Sequence, residues 1–333
     1  MDRNSDLLTA GAAAACSVPC NLCGSTHVRQ VADRDRHGDP LRTVMCVECG
    51  LVWTDPRPDE AANRKFYAHD YRVRYKAAAS PKLKHALRET RRAIARFRRV
   101  EPFLRAGARI LDVGAGAGFF PFVLQSRGFD ARGIEPNQGF CAWGCEVLGV
   151  QVTSGFLQDF DFVDEPFDLI TLNHVLEHLP DPGAALGILR GWLKPEGLLV
   201  VEVPDVESDW HAPDKRFHIG HLYNFNRENL VRMALTVGLA AQDILIQPDT
   251  RHINVVFKRV APEQPGIDRR LPANALHVEA TLRRHTRLRH YASPVPHLRT
   301  LRKLAGYVGE RFAVAGIPSA RAVVEREVRK AFA

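Results

Sequence analysis

The sequence predicts an α/β fold: a mostly parallel, seven-stranded sheet that follows a small cysteine-rich module and precedes a basic helical extension. Between residues 109 and 259, five short apolar runs alternate with helical stretches, which is the pattern of a parallel sheet covered by helices on both faces. Two further runs are joined by a link too short for a crossover helix, so we expect them to form an antiparallel hairpin. Two CxxC pairs mark the N-terminal module.

The expected elements can be placed along the chain. A helix opens at Pro81 and carries Leu83, Leu87, Ile94 and Phe97 on one face, so it should pack on the sheet domain that follows. The seven expected strands cover residues 109–113, 131–135, 150–153, 167–173, 198–203, 242–247 and 253–258.

Composition and charge narrow the class of protein. The 333 residues carry a formal net charge of +8, and 45% of them are hydrophobic, which is ordinary for a globular protein. No apolar run approaches the roughly 20 residues of a membrane-spanning helix, and no secretion signal is recognisable, so we expect a cytoplasmic protein. Residues 261–333 hold 14 Lys and Arg against 6 Asp and Glu. This basic tail favours contact with phosphates, an anionic substrate or a membrane surface, or it forms a solvated helix face.

The four cysteines of the N-terminal module have the spacing of a zinc ribbon. Cys20 and Cys23 form one CxxC pair, Cys46 and Cys49 form the other, and 22 residues separate the pairs. Four thiolates close the coordination shell of a tetrahedral zinc ion, so the predicted role is structural. Two disulfides are the alternative, but without a secretion signal the chain should stay in a reducing compartment.

These features divide the chain into four expected segments. The zinc ribbon occupies residues 1–57, and an aromatic linker with a basic helix occupies residues 58–105. The sheet domain covers residues 106–260, and the basic helical extension covers residues 261–333.

A glycine-rich turn follows the first predicted strand of the sheet domain. Asp112 ends the strand, and Gly114, Gly116 and Gly118 alternate after it, while Glu135 ends the next strand. Ligands of such sheets bind beyond the carboxyl ends of the strands, where a carboxylate can accept both hydroxyls of a ribose. Nicotinamide dinucleotide sites look similar, but the spacing here is GxGxG and the turn has no Arg or Lys to meet a diphosphate. The pattern favours a nucleoside without phosphates.

With these motifs the sequence resembles the class I S-adenosylmethionine-dependent methyltransferases over residues 109–259. The resemblance rests on residues 111–118, 167–170, 173–182 and 193–197, together with Glu135. It implies a Rossmann-like seven-stranded methyltransferase sheet and S-adenosylmethionine as the cofactor. The residues that it implies around the cofactor are Asp112, Gly114, Gly116 and Gly118 at the methionine part, Glu135 at the ribose, Leu157 and Gln158 at the adenine, and Asn173 and His174 near the sulfonium.

The cysteine module narrows the resemblance to zinc-containing methyltransferases of bacterial sugar and secondary-metabolite pathways. Those enzymes often carry Tyr-x-Glu-His-Leu after the fifth strand. Here His221 keeps the histidine, but His218 replaces the tyrosine and Gly220 replaces the glutamate. Together with a short C-terminal segment, this departure favours O- or N-methylation over C-methylation. The resemblance implies a small-molecule acceptor such as a nucleotide sugar or polysaccharide precursor, which can be anionic, while the basic tail allows peripheral membrane contact.

Methyl transfer to a hydroxyl requires a group that takes the acceptor's proton. His221 and His178 are the candidate bases, because imidazole titrates near neutral pH, and Glu177 would orient an imidazole. The substrate side would be shaped by Tyr67, Tyr71 and His218. The alternative is structural, in that Glu177 supports its own helix and the histidines only pack.

Two readings from other classes remain open. A ribosomal or transfer RNA base methyltransferase can also carry a zinc module, and the basic segments would suit phosphates. Against it, the fourth strand ends in Asn173 and His174 without the Pro-Pro-aromatic clamp of many base methyltransferases, so nucleic acid is not the expected partner. The chain could also be a non-catalytic partner with a cofactor fold, although its glycine and acidic positions are intact.

Overall fold

The structure is a computed structural model that describes residues 17–58, 60–65, 81–247, 251–263 and 267–333. The chain divides into two compact units. The first unit comprises Met1–Arg64, Asn173–Gly191 and Leu199–Arg299, and the second comprises Lys65–Leu172, Trp192–Leu198 and Thr300–Ala333. Within the described parts of the chain, no helix combines the length and the apolar character needed to cross a membrane.

The larger sheet has seven strands and confirms the predicted fold class. In the order in which they lie side by side, its strands are β10, β11, β8, β7, β4, β5 and β6. Strand β4 pairs parallel with both β5 and β7, and β5 pairs parallel with β6. The bounds are β4 Arg109–Val113, β5 Asp130–Glu135, β6 Gln151–Ser154, β7 Phe167–Asn173, β8 Leu193–Pro204, β10 Leu239–Ile246 and β11 His252–Arg259.

The sheet follows from the sequence pattern with one clear difference. Strand β7 has the predicted bounds, and its four central residues are almost completely buried, as expected for a central parallel strand. Strand β8 is longer than predicted, because Leu193–Gly197, which precedes the expected strand at residues 198–203, already belongs to it. A Cβ at Gly197 would lie 2.8 Å from the carbonyl oxygen of Phe167, so only glycine lets the two chains pass this closely.

The last two strands form the predicted hairpin. Strands β10 and β11 pair antiparallel from Leu239↔Arg259 to Ile246↔Ile253, with one shift of register between Ala241 and Asp243. Strand β10 therefore begins three residues earlier than the apolar run indicates.

Ten α-helices are described. Helix α2 confirms the helix expected after Pro81, and its apolar side is buried at Leu87, Ile94 and Phe97. The ring of Phe97 packs against those of Phe129 and Phe332 in the second unit. The bounds are α1 Glu60–Lys65, α2 Leu83–Val100, α3 Phe119–Ser126, α4 Gln138–Trp143, α5 Pro182–Gly191, α6 Arg227–Thr236, α7 Pro272–Arg284, α8 Arg287–Ala292, α9 Val295–Ala313 and α10 Ala320–Phe332.

The N-terminal module forms a second, smaller sheet in the first unit. Its strands are β1 Val28–Arg34, β2 Pro40–Cys46, β3 Val52–Thr54 and, far along the chain, β9 Tyr223–Asn224. All neighbours in this sheet pair antiparallel. The apolar core against it includes Met45, Val206, Phe217, Ile219 and Val278. The module is therefore completed by residues that follow strand β8.

The C-terminal extension is helical, as predicted, but it is not only a surface appendage. Helix α7 buries Asn274, Ala275 and Val278 in the first unit. Helix α10 buries Val323 and Val324 in the second unit. The buried positions are 274, 275 and 278 on α7 and 323, 324, 327 and 328 on α10, and this spacing places them on one packed face of each helix. The four segment boundaries given by the sequence stay predictions.

Candidate functional site

The glycine-rich turn leaves strand β4 with its backbone in the left-handed region. Gly114, Gly116 and Gly118 have φ angles of 73°, 59° and 75°, which glycine adopts without strain. The amides of Gly114 and Ala115 both donate to the carbonyl oxygen of Ile134 on strand β5, at 2.8 and 3.0 Å. The turn is therefore fixed by the neighbouring strand.

The carboxylate of Glu135 closes this turn. The amide of Gly116 donates to Oε2 of Glu135 at 2.8 Å, and the amide of Asn137 donates to Oε1 at 3.0 Å. Glu135 is 5% exposed. A buried carboxylate that accepts two backbone hydrogen bonds has a fixed orientation. The side chain predicted to hold a ribose thus also shapes the loop beside it.

The remaining residues predicted at the cofactor lie in different surroundings. Asp112 is buried and accepts a hydrogen bond of 2.7 Å from the hydroxyl of Thr171 on strand β7. Leu157 is buried and begins a short 3₁₀ helix, in which Gln158 is exposed. A Cβ at Gly118 would lie 2.4 Å from Cγ2 of Val150, so this glycine is required by packing.

A second group of polar side chains lies in the first unit around Glu177. Its carboxylate is 1% exposed, and neither oxygen has a hydrogen-bond partner among the described residues. Three imidazole nitrogens approach Oε1: Nδ1 of His174 at 3.4 Å, Nε2 of His178 at 3.8 Å and Nε2 of His221 at 3.9 Å. We call the set His174, Glu177, His178, Glu202, His218, His221 and His252 the histidine cluster.

His174 lies between two buried carboxylates of this cluster. Its Nε2 is 3.0 Å from Oε1 of Glu202, and its amide donates to the carbonyl oxygen of Glu202 at 2.8 Å. Its φ of 58° is unusual for a residue with a side chain. Although burial alone would lower its pKa, the contacts with Glu177 and Glu202 raise the pKa of His174 to about 9. The imidazole is therefore positively charged at neutral pH.

The two predicted bases, His178 and His221, lie together. Their ring centroids are 5.0 Å apart, and the rings of His218 and His221 are 3.8 Å apart. Nδ1 of His178 contacts the carbonyl oxygen of Gly220 at hydrogen-bond distance, so Nδ1 carries a proton and Nε2 faces Glu177. The sequence therefore identified side chains that converge, while their catalytic role stays a prediction.

The pKa of His221 lies well below its usual value. Burial is the main cause, and the nearby His178 and Arg36 act in the same direction. The pKa of His252 is also lowered, mainly by burial. At neutral pH both imidazoles are therefore neutral, which is the form that accepts a proton.

The sequence analysis missed part of the cluster. Glu202 lies in strand β8, and His252 begins strand β11 with Nδ1 3.8 Å from Oε1 of Glu202. The other oxygen of Glu202 accepts hydrogen bonds from the side-chain amides of Gln247 and Asn254. The available signal was an acid within an apolar strand, since a buried carboxylate requires partners.

The N-terminal module holds the segment that carries His218 and His221. Strand β9, directly after this segment, pairs with β3 through Tyr223↔Trp53. The amide of Thr54 donates to the carbonyl oxygen of Leu222 at 2.9 Å. The small sheet thereby fixes one side of the histidine cluster within the first unit.

The four cysteines of the module form one group. Their sulfur atoms all lie within 4.8 Å of one another, with Cys20 and Cys49 at 3.4 Å and Cys23 and Cys46 at 3.5 Å. Four sulfurs bound to a tetrahedral zinc ion lie about 3.8 Å apart, given a Zn–S distance of about 2.3 Å. The donor set and its size fit such an ion.

Helix α7 and helix α6 support this group. The carbonyl oxygen of Cys49 accepts hydrogen bonds from the side-chain amides of Asn229 and Asn274, at 2.8 and 2.9 Å. A Cβ at Gly50 would lie 3.0 Å from Cα of Ala275, so helix α7 packs directly on the second knuckle. The predicted substrate residues Tyr67 and Tyr71 lie outside the described residues.

Comparison with known proteins supports a methyltransferase domain in this chain. Residues 83–243 match the family model described as "Methyltransferase domain". The chain is 33% identical to the ubiquinone biosynthesis O-methyltransferase of Pseudomonas putida (strain W619) over 100 residues, which are 28% of this chain and 42% of the relative. It is 26% identical to an uncharacterized methyltransferase of Staphylococcus carnosus over 127 residues, 37% of this chain and 61% of the relative. The chain therefore spans less than two thirds of each.

Solved structures are similar over a larger part of the chain. A magnesium protoporphyrin IX methyltransferase from Synechocystis PCC 6803, with bound SAH, is similar to 61% of this chain over 99% of its own, with 12% identity and a TM-score of 0.47. A 1,6-didemethyltoxoflavin-N1-methyltransferase from Burkholderia thailandensis is similar to 63% of this chain over 95% of its own, with 19% identity and a TM-score of 0.46.

Proposed function

We propose that this protein transfers a methyl group from S-adenosylmethionine to a hydroxyl or amine of a small molecule. The observation that carries the proposal is the glycine turn at the end of strand β4, closed by the buried carboxylate of Glu135, within the segment that matches the methyltransferase domain. When bound, S-adenosylmethionine supplies an activated methyl group on a sulfonium.

The residues of the second unit fit the binding of this cofactor. Gly114 and Gly116 present backbone rather than side chains beside the strand end, and Asp112 is a buried carboxylate that can accept from an ammonium group. Glu135 is a buried carboxylate held in a fixed orientation by two backbone amides, and carboxylate oxygens are the acceptors that ribose hydroxyls require. Leu157 offers an apolar surface to an adenine, and Gln158, Asn173 and His174 stay proposed contacts.

The histidine cluster takes up the acceptor's proton in this proposal. His221 is the base, because its imidazole is neutral and accepts a proton. Glu177, whose Oε1 is 3.9 Å from Nε2 of His221, stabilises the imidazolium that forms. His178 contacts both Glu177 and the ring of His221 and so orients them. His218 shapes the substrate side.

The acceptor is proposed to be a sugar or a secondary-metabolite precursor that carries negative charge. Burial is the main cause of the lowered pKa of both His211 and His221, and Arg36 acts in the same direction, so a positive charge lies near both imidazoles. An anionic group on the acceptor would offset that charge. An oxygen acceptor is favoured, because the matched relative from Pseudomonas putida is a ubiquinone biosynthesis O-methyltransferase.

A zinc ion bound by Cys20, Cys23, Cys46 and Cys49 is proposed to stabilise the module. Four thiolates fill the coordination shell, so the ion has no open position for a substrate, and its contribution is to folding. Its effect on the reaction would be indirect, through the segment that strand β9 anchors.

Two measurements test the proposed function. Calorimetry of the full chain with S-adenosylmethionine should give a 1:1 complex, and labelled cofactor offered with candidate acceptors should transfer its methyl group to one of them. Cofactor binding without any product across hydroxyl and amine acceptors would support the non-catalytic reading instead. Absence of binding would overturn the proposal.

A further inference from the structure

Helix α9 in the C-terminal extension has an apolar face that no described residue covers. None of its 19 residues is buried. Its large apolar side chains are between 51% and 77% exposed. Five of them lie on one side of the helix: Leu298, Leu301, Leu304, Val308 and Phe312. Exposed apolar residues are common singly, but a row of five on one helix indicates a surface that binds something.

The five side chains form one continuous stripe. At about 100° per residue, they fall within an arc of about 120° on the helix. Arg302 and Arg311 border this arc on its two sides, and Lys303 lies on the far side. This arrangement is typical of a helix that lies in the plane of a membrane interface, with its basic side chains reaching the headgroups.

The opposite side of the helix is attached to helix α2. Glu310, the one acidic residue of α9, accepts two hydrogen bonds from the guanidinium of Arg88. The ammonium of Lys84 lies 4.4 Å from the ring centroid of Tyr307. Because Tyr307 and Glu310 are far around the helix from the stripe, these contacts point the stripe away from α2.

We propose that the stripe of α9 binds an anionic lipid surface, independently of methyl transfer. The charge of helix α9 indicates which partner the stripe binds, an anionic lipid surface or a second copy of this chain. Helix α9 carries four basic residues, and its single acid already pairs with Arg88. Two copies joined through this stripe would bring like charges together, whereas anionic headgroups complement them. At about 28 Å in length, the helix can lie along such a surface.

Sedimentation of the full chain with lipid vesicles tests the proposal. Vesicles of phosphatidylglycerol and phosphatidylcholine in equal parts should bind the protein, and vesicles of phosphatidylcholine alone should bind it at least about tenfold more weakly. Leu301→Glu and Phe312→Glu should each reduce binding by about tenfold or more, because a charge in the stripe opposes burial. Leu276→Glu is the matched control, since Leu276 is a highly exposed leucine on helix α7 outside the stripe.

Circular dichroism should show that these variants keep their helix content, because each position is exposed. Equal binding by wild type and both stripe variants would overturn the proposal. It would also be overturned by a dimer, seen in light scattering without vesicles, that Leu301→Glu dissociates. Capture by an acidic protein with no binding to either kind of vesicle would overturn it as well, in favour of a protein partner.

Discussion

In the glycine turn, the contacts that fix the backbone join two adjacent strands, whereas the histidine cluster joins side chains from four separate parts of the chain. Gly114, Gly116 and Glu135 lie within 22 residues of one another. The cluster combines His174 and Glu177 after strand β7 with residues of β8, of the β11 start and of the segment before β9. The first region depends on local backbone geometry, and the second depends on the whole first unit.

The glycine turn and the histidine cluster should therefore respond differently to substitutions at distant positions. The glycine turn is held by backbone hydrogen bonds to Ile134 and by one carboxylate. The cluster contains two buried carboxylates, both in contact with the positively charged His174, so the position of each of these side chains depends on the others. A change that loosens the first unit should reduce turnover and leave the cofactor affinity of the second unit unchanged.

The largest effect is expected from loss of the proposed zinc ion. Cys46→Ser should remove the ion and loosen the β2–β3 pairing, and with it the β9 segment that carries His221. Turnover should fall below that of any single histidine variant, while the affinity for S-adenosylmethionine stays near wild type. Metal analysis, a methyl-transfer assay and calorimetry measure the three quantities.

The matched control for this variant is Cys141→Ser. Cys141 is buried in the second unit, where its thiol donates to the carbonyl oxygen of Val152, and a serine hydroxyl can do the same. It should keep one zinc ion per chain and near-normal turnover. Wild-type metal content in Cys46→Ser would reject the zinc site.

The two regions also differ in how far the sequence predicts them. Glycines at alternate positions and an acid at the next strand end are visible in the sequence, because they act through backbone conformation over a short stretch. Glu202 and His252 could not be assigned, since their role depends on which strands become neighbours. His174 was expected at the cofactor, and the structure finds its ring between Glu177 and Glu202, because its left-handed backbone brings both within reach.

For a similar reason, the sequence did not predict how the C-terminal extension packs. Leucines and arginines interleave along residues 282–304, which indicates an amphipathic surface helix. Asn274 and Val278 precede that stretch and pack on the cysteine module, at a distance in sequence that no local pattern encodes. The spacing of Cys141 and Cys145, one helical turn apart, predicts two core residues of a helix, but only Cys141 is buried and Cys145 is exposed.

The next largest effect tests the cluster directly. His221→Ala should lower turnover on a hydroxyl acceptor by roughly 10²- to 10⁴-fold, because the acceptor's proton loses its base, with little change in cofactor affinity. An amine acceptor that is already deprotonated would give a much smaller loss. His277→Ala is the control, since this histidine is largely exposed on helix α7. Wild-type turnover in both His221→Ala and His178→Ala would show that these histidines only pack.

A smaller effect is expected in the glycine turn. Glu135→Gln should weaken S-adenosylmethionine binding by roughly 10- to 100-fold, because its amide nitrogen cannot accept from Gly116, Asn137 or a ribose hydroxyl. Glu196→Gln makes the same change at an exposed position and should bind as wild type. Calorimetry decides, and equal affinity in the two variants would reject Glu135 as a cofactor residue.

The smallest effect concerns stability and the charge on His174. Because the pKa of His174 is raised from 6.5 to about 9 in the folded protein, its contribution to stability is complete below pH 6.5 and is lost as the pH rises through about 9. The imidazole keeps 30% side-chain exposure, so solvent screening limits the contribution to on the order of 2 kcal/mol. Urea unfolding at several pH values above 6.5 measures this slope.

The comparison that isolates His174 is the difference between wild type and His174→Gln. Folding lowers the pKa values of His221 and His252, whose imidazoles titrate near pH 6.5 in the unfolded chain, so the slope that they add fades as the pH rises above 6.5 and is present in both proteins. Other groups that titrate near pH 9 affect both proteins equally. The free energy of unfolding should therefore decline more steeply for wild type than for His174→Gln between pH 6.5 and about 9. Parallel pH profiles would mean that His174 is neutral in the folded protein. In that case another group would compensate the negative charge of Glu177 and Glu202.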